Sequence, residues 1–184
     1  MNNLKVLSRE EVAVGTQGVY DALESKVGMV PNLYAATANS SKALNALLTL
    51  GENLSGGEFS GKETEAIALS AGEANSCGYC LSAHTAIGKM NGFSEEETLQ
   101  LRTGEIEDKK LNSLSKLVRN IVITRGKPAQ IFIDKFFNLG YSKAALTEVI
   151  GHVALNTFTN YINHIANTPI DFPLAPELEE VTLA

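Results

Sequence analysis

The 184-residue sequence has no tryptophan, only five prolines and only two cysteines. It also lacks any apolar run near the roughly 20 residues that a membrane-spanning helix needs, so no membrane span is expected. The first residues, Met-Asn-Asn-Leu-Lys-Val-Leu-Ser-Arg-Glu-Glu, contain no continuous apolar stretch and no small-residue cleavage site. No signal peptide is therefore expected, and the cytoplasm is the expected compartment. Net charge is −6, which argues against a broad nucleic-acid surface, since that chemistry favours a basic patch. Two cysteines three residues apart cannot staple distant segments; in a reducing compartment such a pair points to redox or metal chemistry.

What is present is ordinary globular composition, 44% hydrophobic and 20% charged, in a chain long enough for one domain with a substantial core. No strand-like alternation persists. Helical signals recur instead. A first helix is predicted over 12–27, stopped by Gly28, then a short one over 31–38 opened by Pro31. Ser40 or Ser41 opens a third, with Ala43, Leu44, Leu47, Leu48 and Leu50 apolar, closing before Ser55-Gly56-Gly57. Ser60-Gly61-Lys62-Glu63 has the capping-box pattern and starts a helix to about Ala74. Asn75-Ser76 interrupts, and the next helix runs from near Cys77 to about Met90. Ser94-Glu95-Glu96-Glu97 is a second capping box, leading to Arg102. Helices over 110–125 and 131–138 follow. The last runs from Ser142 to the Thr168-Pro169 step, with Leu146, Val149, Ile150, Val153, Ala154, Phe158, Tyr161, Ile162 and Ile165 at three- and four-residue steps. That stripe is expected to be mainly core, with part of it available for a subunit interface. The expectation is one all-α domain over 1–184, with a redox core at about 40–104, a C-terminal helical layer at about 108–167 and an extended tail over 168–184.

Cys77, Cys80 and His84 are spaced three, four and seven apart, which puts all three on one face of a helix. The helix N-terminus places partial positive charge near Cys77, and an imidazole lies one turn beyond Cys80. Both favour the thiolate, the nucleophilic form, over a thiol that ordinarily titrates near ~8.5. The second sulfur completes a cycle: one attacks an electrophile such as a peroxide oxygen and becomes a sulfenic acid, and the other condenses with it to a disulfide. Glu65 sits in the small and apolar run Glu-Ala-Ile-Ala-Leu-Ser-Ala-Gly, so its carboxylate is expected to be partly buried and partnered, with His84 the natural partner.

Glu65, eleven residues, then Cys77-Gly78-Tyr79-Cys80-Leu81-Ser82-Ala83-His84 resembles the core signature of the alkylhydroperoxidase D / carboxymuconolactone decarboxylase family. Val30-Pro31-Asn32-Leu33-Tyr34 and Thr159-Asn160-Tyr161-Ile162-Asn163 resemble its peroxidase-related branch, and the likeness spans about 23–173. The resemblance implies an all-α fold assembling as a trimer or hexamer. It also implies reduction of hydrogen peroxide or alkyl hydroperoxides, with electrons from a dithiol donor such as a lipoylated or thioredoxin-like protein. By that similarity Cys80 attacks the peroxide, Cys77 resolves, and Glu65 and His84 form the proton relay. The residues alone leave the order of the cysteines open. In thioredoxin-type CxxC helices the first cysteine is the exposed nucleophile, whereas here His84 is one turn from Cys80. The chain departs from alkylhydroperoxidase D at Tyr79, where that protein has a second His. The decarboxylase activity belongs to members without the cysteine pair and is not carried over.

Rival expectations are zinc held by Cys77, Cys80 and His84, which supplies three ligands where four are usual, and a pair of inert core cysteines. His152 is expected to pack, His164 to face solvent beside Asn160, Asn163 and Asn167, and Glu73 to be a helix-end charge. Asn160, Tyr161 and Asn163 are expected to line a pocket or an interface without catalytic duty. The function expected is a thiol-dependent peroxidase needing no bound cofactor. Its alternatives are a protein thiol-disulfide oxidoreductase and a non-catalytic helical oligomeric module with a vestigial site.

Overall fold

Five of the helices begin where a short polar side chain accepts an orphan backbone N–H. Ser40, Ser60, Ser94, Asp108 and Ser142 each do so, and Ser60–Glu63 and Ser94–Glu97 close complete capping boxes. The computed structural model describes residues 4–178, and all its regular structure is helical. Nine helices occur among the described residues: α1 (Val14–Val27), α2 (Asn32–Thr37), α3 (Ser41–Leu54), α4 (Gly61–Ala74), α5 (Gly78–Met90), α6 (Glu95–Thr103), α7 (Lys109–Ile123), α8 (Gln130–Asn138) and α9 (Lys143–Ala166). Helix α1 starts two residues later than the sequence suggests, because a turn from Ser8 brings Val12 into a small cluster with Tyr20, Ala35, Ala38 and Leu44. Helix α7 stops at Ile123, since Arg125 and Gly126 both turn left-handed and the Gly126 N–H closes back on Ile121.

Helix α4 is the centre of the fold and packs against α5, α6, α7 and α9. Every residue from Glu65 to Gly72 is buried. The run is rich in Ala, Ser and Gly, so neighbouring backbones come close, while Ile67 and Leu69 supply apolar area worth about 1.5–3 kcal/mol each. Leu101 from α6, Leu114, Leu117 and Val118 from α7, Phe136 from α8 and Val149 from α9 complete this core. Helix α5 runs antiparallel to α4: Gly72 faces Cys80 and Leu81, and Gly88 faces Glu65.

Two features depart from the amphipathic reading of α9. Ile150, Tyr161 and Ile165, expected mainly as core, are more than half exposed, and Phe158 is also exposed. Asn156, Asn160 and Asn163 are buried instead. Over its second half the helix therefore turns its amides inward and its apolar side chains outward. His164 faces solvent as expected, while its neighbours Asn160 and Asn163 do not.

After α9, residues 168–178 form no helix and lie across α2, α5 and α6. Asn32 donates its backbone N–H to Asp171 and its side-chain amide to Pro169, Ala175 N–H donates to Ser82 Oγ, and Arg102 donates to the Pro176 carbonyl. The rest of the expected tail, 179–184, lies outside the described residues.

Candidate active site

The site begins at the turn between α4 and α5. Cys77 N–H bonds the Gly72 carbonyl at 2.9 Å and Ser76 N–H bonds that of Glu73 at 3.0 Å, with Ser76 left-handed at φ +56°. This is a Schellman closure with serine where glycine is usual. It delivers Cys77 as the N-cap of α5, so that the helix begins at Gly78, one residue after the start expected near Cys77, and the Cys77 sulfur accepts the Cys80 N–H at 3.3 Å. Cys77 and Cys80 are joined as a disulfide, with Cα atoms 5.3 Å apart. No acidic side chain stands in the first turn of α5 to offset the positive end of the helix dipole.

His84 Nδ1 donates to Glu65 Oε2 at 2.8 Å across the α4–α5 interface. Glu65 is buried and His84 half-buried. The bond fixes the tautomer in which neutral His84 presents Nε2 as an acceptor. Among the described residues His84 makes no hydrogen bond to either sulfur. The four residues named from the sequence thus form two bonded pairs on adjoining helices: a sulfur pair at the start of α5, and a carboxylate–imidazole pair about a turn further along.

The sulfurs meet amides that the sequence marked only as lining of a pocket or an interface. Asn160 Nδ2 lies 2.8 Å from Cys80 Sγ, and Asn163 Nδ2 lies 3.3 Å from Cys80 Sγ and 3.9 Å from Cys77 Sγ. The Asn160 carbonyl accepts Asn75 Nδ2 at 2.8 Å, while Asn163 Oδ1 is buried without a partner. The signal available in the sequence was the spacing of 156, 160 and 163, which continues the stripe of Ala145, Val149 and His152 that faces the core.

The sulfurs are closed over: Cys77 is 1% and Cys80 3% exposed, with Leu33 from α2 and Phe172 from the C-terminal segment packed on them, Tyr79 and Ala83. Tyr79 sits edge-on to Phe172, and its hydroxyl accepts the Leu33 N–H at 3.2 Å. Burial drives the Tyr79 phenol far above its ordinary range; the Leu33 N–H opposes this and nearby Asp171 adds to it. Tyr79 therefore stays neutral and braces α2 against α5. Glu73 is held by buried Arg102 at 2.7 Å. His152 packs edge-on to Phe59, and burial lowers its pKa against the opposing charge of Glu148. Among the described residues no group of three or more His, Cys, Asp or Glu side chains is placed to hold a metal ion, and no helix is long and apolar enough to cross a membrane.

Residues 41–119, which hold α3 to α6, most of α7 and all four candidate residues, match the carboxymuconolactone decarboxylase family. No protein of curated function matches the chain in sequence. Solved structures share the fold, among them the following three. An uncharacterized peroxidase-related protein from Ralstonia eutropha JMP134, described as an alkylhydroperoxidase AhpD core, superposes with a TM-score of 0.81 at 15% identity, covering 91% of this chain and 90% of that one. An uncharacterized peroxidase-related protein from Silicibacter sp. TM1040 gives 0.78 at 20% identity, covering 91% and 89%. The debrominase Bmp8, in a cysteine-to-alanine variant bound to 2,3,4-tribromopyrrole, gives 0.79 at 16% identity, covering 93% and 92%. The segment 41–119 thus carries a likeness to the carboxymuconolactone decarboxylase family, and the chain shares the fold of the AhpD-like peroxidase-related proteins.

Proposed function

We propose that the chain is a thiol-dependent peroxidase acting on hydrogen peroxide or small alkyl hydroperoxides. The observation that carries this is a cysteine pair joined at the start of α5 beside a bonded imidazole–carboxylate pair on the same α4–α5 seam. Reduced Cys80 attacks the distal peroxide oxygen as a thiolate. The O–O bond breaks, the leaving alkoxide takes a proton relayed by His84, and Cys80 becomes a sulfenic acid. Cys77 then attacks that sulfur and expels water. Two thiols and one hydroperoxide give a disulfide, an alcohol and water. The joined cysteines are the product state of this cycle. A dithiol donor, lipoylated or thioredoxin-like, restores them, and Glu65 holds His84 through both halves. The outward apolar face of α9 supports the further proposal that the protein works as a homo-oligomer, a trimer or hexamer.

The debrominase neighbour favours a second reading, in which the same two electrons replace an aromatic C–Br bond by C–H, releasing bromide as the disulfide forms. The closed cover over the sulfurs favours the smaller substrate. Peroxide consumption with a dithiol donor tests the first reading: Cys77→Ser and Cys80→Ser are each expected to abolish turnover. Unchanged rates in both variants would leave a helical module, and bromide release without peroxide consumption would establish the second reading.

A further inference from the structure

We propose that Asn160 and Asn163 form a carboxamide cradle that stabilises Cys80, rather than Cys77, as the thiolate, making Cys80 both the sulfur that attacks and the sulfur that leaves when the disulfide is reduced. The role rests on the redox reading of the cysteine pair. Its structural basis lies outside the four residues on which that reading was built.

Three observations carry it. The contacts are asymmetric: both amide nitrogens reach Cys80 Sγ, at 2.8 and 3.3 Å, while only Asn163 approaches Cys77 Sγ, at 3.9 Å. The orientation of Asn160 is imposed, because Asn75, the C-cap of α4, donates to its carbonyl and leaves its NH2 to face the sulfur. Both asparagines are almost fully enclosed, at 0% and 4% exposure, and Asn163 keeps its NH2 on the sulfurs although its own carbonyl is left buried and unpartnered. A side chain serving only to pack would not leave a polar atom unsatisfied in this way.

The chemistry follows from what each sulfur state accepts. A disulfide sulfur is a weak acceptor, and a thiolate is a strong one whose hydrogen bonds are charge-assisted. Two donors held in a dry pocket therefore favour the reduced, ionised Cys80 over both the neutral thiol and the disulfide. The same donors make Cys80 the better leaving group, so the electron donor's thiolate attacks Cys77 Sγ, the S–S bond breaks, and Cys80 departs as the stabilised thiolate. Asn160 and Asn163 touch a reacting atom and are catalytic residues in that sense; Asn75 is a positioning residue acting through Asn160.

The test is the thiolate ultraviolet absorbance of the reduced full-length protein titrated against pH, with the disulfide's reduction potential measured alongside. Asn160→Asp keeps the shape and the Asn75 bond but replaces the donor by an acceptor; Asn160→Ala and Asn163→Ala delete a donor. Each is expected to lower the thiolate fraction at neutral pH about tenfold, the scale of one hydrogen bond to a charged group, and to make the disulfide harder to reduce. Asn156→Ala is the control: it is buried on the same helix, bonds the His152 carbonyl and does not touch sulfur. Titrations of the Asn160 and Asn163 variants that overlay the parent curve, or an Asn156→Ala shift of equal size, overturn the proposal. If Asn160→Ala does not fold, the near-isosteric Asn160→Asp decides. Peroxide turnover is scored separately on the parent protein. A cradle effect without turnover sinks the peroxidase reading alone, and turnover without a cradle effect sinks the cradle alone.

Discussion

At the level of single side chains, Glu65 is the residue that most directly orients His84. It accepts the Nδ1 proton at 2.8 Å from within the buried, largely small and apolar run 65–72 of α4. Glu65→Gln keeps the length and a carbonyl acceptor but removes the charge. His84 then loses the charged partner that orients it, so the neighbouring thiolate loses support. The expected result is a Cys80 thiol that alkylates with iodoacetamide only at higher pH, and a loss of peroxide turnover of about 10–100-fold, as for other partners that orient a functional histidine. An alkylation profile identical to the parent would remove Glu65 from the relay. This pair was legible in the sequence because a carboxylate in an apolar run demands a partner, and the one histidine on the adjacent helix was within reach. The asparagines were legible only as lining of a pocket or an interface: they are about 80 positions from the cysteines, so their contact with the sulfurs is set by the tertiary packing of α9 and not by any local pattern.

Among the elements, the α4–α5 turn has the most leverage, since one left-handed residue sets where Cys77 begins the next helix. The sequence marks Asn75-Ser76 as a break but does not show that Ser76 takes the conformation normally reserved for glycine. That choice is made by Cys77 N–H and Ser76 N–H seeking the last carbonyls of α4. Ser76 is exposed, and no hydrogen bond from its hydroxyl holds the turn among the described residues. Ser76→Gly removes the Cβ clash of the left-handed state and is expected to stabilise the protein by about 0.5–1 kcal/mol after the added chain entropy of glycine is set against it. In thermal unfolding that is a rise of about 1–4 °C, with the thiolate titration unmoved because the Cys77 backbone keeps its bonds. A fall in melting temperature would show that the serine side chain itself sustains the turn. The other helix ends were legible to within one or two residues, because serine caps, capping boxes and glycine stops act locally and need no tertiary contact to be recognised.

For the whole molecule, the least legible property was which way the longest helix faces. A stripe of Ile150, Ala154, Phe158, Tyr161 and Ile165 has the spacing of a core face, yet these residues stand outward. The inner face is taken by Val149, His152 and the asparagines because α4 and the sulfurs occupy that side. Periodicity identifies an apolar stripe but not whether its own chain covers it. Patches of this kind on a monomer mark contact surfaces, and the proposed homo-oligomer supplies a covering partner in a second copy of the same face. Sedimentation velocity on the parent protein is then expected to show a multimer. Tyr161→Glu and Ile165→Glu, each placing a charge at the centre of the contact, are expected to shift it toward monomer by at least tenfold in dissociation constant, since a buried unpaired charge costs more than about 1.4 kcal/mol. Helical content should be unchanged, because both side chains are solvent-exposed within the chain itself. A parent protein that sediments as a monomer, or a multimer indifferent to both charges, would mean that the outward face of α9 is not where the copies meet.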